Sequence, residues 1–164
     1  MTKILFVCHG NICRSPIAEF VMEDLVRRAG LEGEVLVASA ATTTEAVGGD
    51  VHPGTKDVLR KQGVPFGRRR ARQMTREDYA VYDWIVAMDE ENLRDLSRMT
   101  GGDPDGKVRL LMSFAGEERG VADPWYTGNF DATFRDVQRG CGAILDRLAR
   151  KTGGHGGDGQ ERNG

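Results

Sequence analysis

The sequence has few cysteines, no long hydrophobic segment and no strong excess of charge of either sign. Its three cysteines, Cys8, Cys13 and Cys141, are odd in number and unevenly spaced, which argues against a secreted disulfide framework and favours a reducing cytoplasm. No apolar run approaches the roughly 18 residues that a membrane span needs, and the run after Lys3 is too short for a signal peptide. The net charge of −2 gives no reason to expect a nucleic acid or a membrane as partner.

The rest of the composition is that of an ordinary soluble domain. The chain has 164 residues, of which 39% are hydrophobic and 29% charged, and this is enough for one domain with its own core. The segment 152–164 is rich in glycine and polar residues and has no apolar anchor. We therefore expect a single domain over 1–151, followed by a disordered tail.

Short apolar runs alternate with amphipathic segments along the chain. Strands are predicted over 3–8, 34–39, 84–88 and 108–112, and helices begin near residues 15, 53, 75, 89 and 130. Ser15 is predicted as the N-cap of the first helix and Pro16 as its first residue. Strands separated by helices imply a parallel sheet with helices on both faces.

The segment between the first strand and the first helix carries the chemistry. In an open α/β sheet, ligands bind outside the carboxyl ends of the strands. A loop that ends at a helix N-terminus presents free backbone N–H groups and the positive end of the helix dipole. Gly10 and Asn11 tolerate positive φ, which lets the loop curl until its amides converge. The segment therefore predicts a cradle for an anion the size of phosphate.

Cys8 and Arg14, at the two ends of this loop, add reactivity to the cradle. The same amides and the dipole would stabilise the thiolate form of Cys8 beneath a bound phosphorus atom. The planar guanidinium of Arg14 can bind two phosphoryl oxygens and follow them into the transition state. Phosphoryl transfer needs mostly positioning and charge stabilisation, so we predict no metal. His52 and His155 show no metal-ligand spacing.

At these residues the chain resembles the low-molecular-weight protein tyrosine phosphatases, over about Lys3 to Leu148. The matching motifs are Cys8-His9-Gly10-Asn11-Ile12-Cys13-Arg14-Ser15-Pro16, Arg72-Gln73, Met88-Asp89-Glu90, Asn92-Leu93 and Asp123-Pro124-Trp125-Tyr126. The resemblance implies a doubly wound, flavodoxin-like (Rossmann-like) sheet of four parallel strands in the order 2-1-3-4. It also implies a cytoplasmic hydrolase without cofactor, which acts on phosphotyrosine proteins and aryl phosphates through a cysteinyl-phosphate.

The resemblance also assigns roles to individual residues. Asp123 would be the general acid, and the phosphate would be bound by His9, Gly10, Asn11, Ile12, Cys13, Arg14 and Ser15. Ser39 would hydrogen-bond to Asn11, and Ser15 would donate to the Cys8 sulfur. Ile12, Trp125 and Tyr126 would line the substrate pocket. Cys13 would form a reversible disulfide with Cys8 on oxidation.

Several interpretations stay open at this stage. Trp125 and Tyr126 can instead be core residues, and Asp123 an ordinary turn residue. The basic run 68–72 is either a solvated face or a docking site for acidic partners. The 42–47 segment lacks the aromatic residue that some family members carry there, and His9 stands at a position that varies in the family. The oligomeric state is undetermined between monomer and weak dimer.

Three other functions compete with tyrosine phosphatase. Arsenate reductases share the fold and the loop but need two further cysteines, whereas this chain has only Cys141 beyond the loop. Protein arginine phosphatases carry Thr where this chain has Ile12, and an apolar side chain suits an aromatic ring better than a guanidinium. A phosphate-binding module without catalysis would need neither Cys8 nor Asp123.

Overall fold

A parallel sheet of four strands forms the centre of the structure. The computed structural model describes residues 1–153, and its strands are β1 (Thr2–Cys8), β2 (Val35–Ala41), β3 (Trp84–Ala87) and β4 (Val108–Leu110). The order across the sheet is β2-β1-β3-β4 and every pairing is parallel, which confirms the predicted topology. Cys8, the last residue of the central strand β1, lies opposite Ala41 at the carboxyl edge of the sheet.

Helices cover both faces of the sheet. They are α1 (Arg14–Arg28), α2 (Pro53–Lys61), α3 (Arg76–Val81), α4 (Glu90–Thr100), α5 (Leu111–Phe114), α6 (Pro124–Thr127) and α7 (Phe130–Gly153). Because successive side chains of β1 point to opposite faces, Ile4 and Phe6 join the core beneath α1, α2 and α7, whereas Leu5 and Val7 join the core beneath α3 and α4. The predicted doubly wound α/β class is confirmed.

Several local predictions were wrong. The second strand was predicted over 34–39 and spans Val35–Ala41, and the third was predicted to end at residue 88 and ends at Ala87. The fourth strand ends at Leu110 instead of residue 112, because the apolar run continues as the buried turn α5. A short apolar run does not by itself distinguish a buried strand from a buried helix. Ser15 is not the N-cap of α1: the helix begins at Arg14, its N-cap Cys13 makes no side-chain capping bond, and Ser15 and Pro16 lie inside the first turn. The hydroxyl of Ser15 is engaged elsewhere, as described below.

Three other helices begin close to the predicted positions 53, 75 and 89. The capping box at Thr75 and the cap at Asp89 are both present, and Pro53 occupies the first turn of α2. α7 is described as far as Gly153, two residues beyond the expected domain end, and the greater part of the expected disordered tail, 154–164, lies outside the described residues. Within 1–153, no helix is both long and apolar enough to cross a membrane.

Candidate active site

The loop of residues 9–13, which connects β1 to α1, curls back over the sulfur of Cys8. Asn11 adopts a left-handed backbone conformation with φ of 61°, and its backbone N–H donates to Cys8 Sγ at 3.3 Å. Both Cys8 and Asn11 are buried. Of the two residues predicted to tolerate positive φ, Asn11 adopts it and Gly10 does not, and the conformation of Asn11 directs its amide at the sulfur.

The side chain of Asn11 connects the two serines that were predicted to support the loop. Asn11 Nδ2 donates to Ser15 Oγ at 2.8 Å and to Ser39 Oγ at 2.9 Å. Ser15 Oγ lies 3.0 Å from Cys8 Sγ. Because the oxygen of Ser15 already accepts a hydrogen bond from Asn11, its own hydrogen is available to the sulfur.

Sequence reasoning missed two residues that hold this loop, Arg69 and Glu19. Arg69 donates to Asn11 Oδ1 at 2.8 Å and to the Asn11 carbonyl oxygen at 3.2 Å, and its Nε lies 3.1 Å from a Glu19 carboxylate oxygen. The Ser39 hydroxyl donates to the same carboxylate. The guanidinium thus fixes the residue that curls the loop. Arg69 is separated from Asn11 by 58 positions, so no local pattern could have distinguished it from its neighbours.

The basic run 68–72 is therefore not a uniform solvated face. Arg69 is mostly buried against the loop, and Arg72 forms a bidentate pair with Asp78 at 2.8 and 3.2 Å. Arg68 and Arg70 are exposed. If the run is a docking site for acidic partners, Arg68 and Arg70 are therefore the side chains that would bind them.

Arg14 lies almost wholly buried beside Cys8, between two carboxylates. Its Nη1 donates to Asp89 Oδ2 at 2.6 Å and to the Val121 carbonyl at 2.8 Å, and its Nη2 donates to Asp123 Oδ2 at 3.4 Å. Burial alone would lower the pKa of Arg14, but the negative charges of Cys8, Asp89 and Asp123 outweigh it and raise that pKa. The guanidinium is therefore permanently charged and held in one orientation.

Asp89 has a second function that its position as a helix cap did not reveal. One carboxylate oxygen accepts the backbone N–H of Asn92 at 2.8 Å and caps α4, while the other binds Arg14. The sequence indicated the cap, since Asp precedes a helical pattern there. The contact with Arg14 spans 75 positions and appears only in the tertiary structure.

Asp123 is held at the cavity by the start of α6. Its Oδ1 accepts the backbone N–H of Trp125 at 3.0 Å, which leaves Oδ2 facing Arg14. Upstream, the backbone N–H of Val121 donates to the Met88 carbonyl at 2.7 Å, so the segment that leads to Asp123 is anchored to the end of β3. Asp123 is thus a cap whose second oxygen stays available to a ligand.

Cys8, Arg14 and Asp123 meet in one cavity of about 260 Å³. It is lined by Cys8, His9, Gly10, Ile12, Cys13, Arg14, Glu45, Ala46, Asp123, Trp125 and Tyr126. Trp125 and Tyr126 are 61% and 84% exposed, which excludes the alternative that they are core residues. Asn11, Ser15 and Ser39 are buried behind this lining. Two wider grooves, of about 570 and 680 Å³, lie elsewhere on the described part of the chain, but no cysteine lines them.

The other two cysteines are poorly suited to be the nucleophile that attacks a phosphate ester. Burial, together with the negative charges of Cys8 and Asp123, raises the pKa of Cys13 to about 12. Burial within α7 likewise raises the pKa of Cys141. Both therefore remain protonated thiols near neutral pH. Among the described residues, no group of three or more His, Cys, Asp or Glu side chains is arranged to hold a metal ion.

Comparisons with known proteins agree with this geometry. The family model described as "Low molecular weight phosphotyrosine protein phosphatase" matches residues 3–153. YfkJ of Bacillus subtilis, named a low molecular weight protein-tyrosine-phosphatase, is 37% identical over 92% of this chain and 98% of its own. A low molecular weight phosphotyrosine protein phosphatase of Rattus norvegicus is 38% identical over 88% of this chain and 94% of its own.

Solved structures of similar proteins have the same fold. The crystal structure of Bacillus subtilis YfkJ superposes with a TM-score of 0.88, covering 92% of this chain and 96% of that one. A Drosophila protein described as an arginine phosphatase superposes with a TM-score of 0.83 at 29% identity, covering 90% of this chain and 98% of its own.

Proposed function

The chain belongs to the low molecular weight phosphotyrosine protein phosphatase family and is a hydrolase, and we propose that Cys8, Arg14 and Asp123 carry its reaction. The observation that supports this assignment is the single cavity in which a buried sulfur, a fixed guanidinium and a carboxylate face the same space. A phosphoryl group bound there would contact all three.

In the first step, the Cys8 thiolate attacks phosphorus while the bond from phosphorus to the aryl oxygen breaks. Asp123, in its protonated form, gives its proton to the departing oxygen. The amides of the 9–13 loop and the Arg14 guanidinium stabilise the charge on the remaining phosphoryl oxygens. The products are a phenol and a cysteinyl-phosphate.

In the second step, water hydrolyses the cysteinyl-phosphate. The Asp123 carboxylate takes a proton from the attacking water, and the bond between sulfur and phosphorus breaks. The Ser15 hydroxyl, 3.0 Å from the sulfur, stabilises the departing thiolate. Inorganic phosphate leaves, and Cys8 and Asp123 return to their starting forms.

The walls of the cavity favour an aromatic phosphate ester. Ile12, Trp125 and Tyr126 give it apolar and aromatic sides, against which a flat phenyl ring packs well. The phosphorus must reach Cys8 at the floor, which favours phosphotyrosine over the shorter phosphoserine. Protein arginine phosphatase is the second candidate, because a structural neighbour is described as one. The apolar Ile12 argues against it, and the full burial of Cys141 argues against an arsenate reductase relay.

The proposal extends to the cellular setting of the enzyme. We propose that the enzyme is cytoplasmic and acts on phosphotyrosine-containing proteins. We further propose that residues 1–151 form the phosphatase domain and that the protein is a monomer or a weak dimer. Three free thiols support a reducing compartment. The net charge of −2 supports neither a nucleic acid nor a membrane as partner.

Hydrolysis of para-nitrophenyl phosphate in the presence of a chelator tests the mechanism. The chain is expected to turn this ester over without metal, Cys8→Ser to be inactive and Arg14→Ala to lose nearly all activity. Cys141→Ser makes the same change in the core and is expected to stay active. Turnover by Cys8→Ser, or failure of rapid quenching to trap phosphate on Cys8, would exclude the covalent mechanism. The kcat/KM values for phosphotyrosine, phosphoserine and phosphoarginine peptides then separate the two candidate substrates.

Cys13 is proposed to protect Cys8 from irreversible oxidation. Both cysteines line the same cavity. Peroxide would oxidise the Cys8 thiolate to a sulfenic acid, which removes one of the negative charges that raise the pKa of Cys13. The Cys13 sulfur would then attack the sulfenic sulfur, and the displaced oxygen would leave as water when the disulfide forms. Mass spectrometry after peroxide treatment is expected to find the Cys8–Cys13 link, whereas a sulfinic acid on Cys8 without any link would contradict the proposal.

A further inference from the structure

An imidazole and a carboxylate contact each other in the wall of the cavity. His9 Nε2 and Glu45 Oε1 are 3.0 Å apart, and both residues line the cavity. The Glu45 side chain is 70% exposed, so its carboxylate remains accessible to a ligand that enters the cavity. Glu45 belongs to the 42–47 segment, which was noted above for its lack of an aromatic residue.

The backbone holds Glu45 in place. The N–H of Thr42 donates to the Cys8 carbonyl at 2.9 Å, and the hydroxyl of Thr43 donates to the His9 carbonyl at 3.0 Å. The Thr43 hydroxyl oxygen in turn accepts the Glu45 N–H at 3.3 Å. The segment that carries the carboxylate is therefore tied directly to the chain around the nucleophile, and Glu45 has a defined position relative to a bound phosphate.

Aromatic rings from α6 complete the lining. Trp125 contacts the ring of His52 with centroids 5.7 Å apart, yet most of its surface stays exposed, as does that of Tyr126. Exposed indole and phenol faces attract cations through the quadrupole of the ring. A carboxylate and two exposed aromatic rings thus line one cavity, and this combination favours a positively charged group.

The other charges that face the cavity leave this preference intact. Arg14 is neutralised by Asp89 and Asp123, and it would be committed to the phosphate of a bound substrate. His9 contacts only Oε1 of Glu45, and the rest of this exposed carboxylate remains open to a substrate. An arginine of the substrate can share that carboxylate, because its planar fork needs only one or two oxygen lone pairs.

We propose that Glu45, together with Trp125 and Tyr126, selects phosphotyrosine sites that are flanked by arginine or lysine and disfavours acidic flanking residues. The inference rests on the proposed function, since it names the substrate class of the same site. Glu45 determines specificity and takes no part in bond making. Arginine is preferred to lysine, because the guanidinium both stacks on aromatic faces and pairs with carboxylates in a planar geometry.

The test compares kcat/KM for phosphotyrosine peptides that differ only in the residues on either side of the phosphotyrosine, which are Arg, Ala or Glu. At low ionic strength the wild type is expected to favour Arg over Glu by about fivefold, which is the upper range for a charge pair at an exposed carboxylate. The preference is expected to shrink to about twofold in Glu45→Gln and to reverse in Glu45→Lys. Added salt should also reduce it in the wild type, because the carboxylate is exposed.

Glu32→Gln is the matched control. It removes the same charge from an exposed residue between α1 and β2, at the opposite edge of the sheet from Cys8, and is expected to keep the wild-type ratio. A wild-type ratio near one, or a ratio that Glu45→Gln leaves unchanged, would overturn the inference while the phosphatase function stands. Absence of turnover with every peptide and with para-nitrophenyl phosphate would overturn both.

Discussion

At the scale of single residues, Asn11 shows how this site tolerates an unfavourable backbone. A left-handed conformation at a residue other than glycine costs about 1–3 kcal/mol. Every polar group of Asn11 has a partner among Cys8, Ser15, Ser39, Arg69 and the backbone of Arg72. These contacts offset the cost, because each satisfies a group that is buried from water.

Arg69→Gln is expected to loosen this arrangement. It removes the Arg69 donors to the side chain and carbonyl of Asn11 and leaves Glu19 without its cation. Only the Arg72 N–H then still donates to the Asn11 side-chain oxygen, so the Asn11 amide that points at Cys8 Sγ is held less firmly. We expect kcat/KM to fall about tenfold or more, as for the loss of one or two charge-assisted hydrogen bonds. The inhibition constant of inorganic phosphate should rise in parallel. Arg70→Gln, which alters an exposed neighbour, is the control, and equal behaviour of the two variants would contradict the role of Arg69.

Asp123→Ala tests the general acid. We expect kcat to fall by about 10²–10⁴, the usual contribution of a positioned acid. The loss should be greater for phenyl phosphate than for para-nitrophenyl phosphate, because the poorer leaving group depends more on protonation. Asp131→Ala removes an exposed carboxylate on α7 and should leave kcat unchanged for both esters. A uniform loss for both esters would indicate a structural role for Asp123 instead.

At the scale of elements, the 115–123 loop positions Asp123 by contacts along its length. Arg119 forms a bidentate pair with Asp136 of α7 at 2.9 Å for both bonds. Gly120 lies so close to β3 that a Cβ there would stand 2.8 Å from Asp89 Cβ and 3.1 Å from the Met88 carbonyl oxygen. The loop is thereby fitted against the same Asp89 that orients Arg14.

Gly120→Ala should therefore disturb both carboxylates that face Arg14. The new methyl group meets backbone atoms of Met88 and Asp89, so the loop must move. We expect a loss of roughly 1–3 kcal/mol in the free energy of unfolding, with a clear fall in kcat. Gly142→Ala in α7 is the matched control, since a Cβ there meets nothing within 4 Å. It should stabilise by up to about 1 kcal/mol. A Gly120→Ala enzyme as active and stable as the parent would show that this close approach is unimportant.

At the scale of the whole molecule, the site lies where the helices on the two faces of the sheet diverge. α1, which follows β1, packs on one face, whereas Leu96 of α4, which follows β3, packs on the other. The adjacent strands β1 and β3 therefore leave a crevice at their carboxyl ends, the position at which open α/β sheets bind ligands. Cys8 and Asp89 approach this crevice from its two sides.

The pH dependence of stability is expected to show a contribution from Glu23 of α1. Partial burial, followed by the charge of Glu19, raises the pKa of Glu23 to about 7. The unfolded chain therefore releases this proton first, and stability falls as the pH rises from about 4.5 towards 7. Glu23→Gln should remove that fall and be more stable than the parent by roughly 1 kcal/mol at pH 8, after allowance for solvent screening.

Urea unfolding at several pH values measures this difference. The two proteins should be nearly equal in stability near pH 4, where Glu23 is protonated in both states. Glu32→Gln, at an exposed position, should follow the wild type at every pH. A constant difference between Glu23→Gln and the wild type across the range would show that the carboxyl group does not titrate as described.

The sequence contained enough to predict much of the fold and the residues at the floor of the site. The alternation of strands and helices predicted the α/β class, and the family resemblance supplied the strand order. The segment from Cys8 to Arg14 predicted a phosphate cradle, because a strand, a flexible loop and a helix start are contiguous in the chain. The errors at Ser15 and at the end of β4 were local, and both arose where a side chain or an apolar run found its partner elsewhere in the fold.

By itself, the sequence determined which groups can react: a cysteine and an arginine lie in one short loop, so their proximity follows from chain connectivity. Only the tertiary structure decided what holds and surrounds them. Arg69, Asp89 and Glu45 reach the site from distant segments, and their contacts depend on how the sheet brings those segments to one edge. The family resemblance named Asp123 as the general acid, but its contact with Arg14 likewise depends on the fold. A pattern of neighbouring residues carries no information about such contacts, because the packing of the whole chain sets the distances between them.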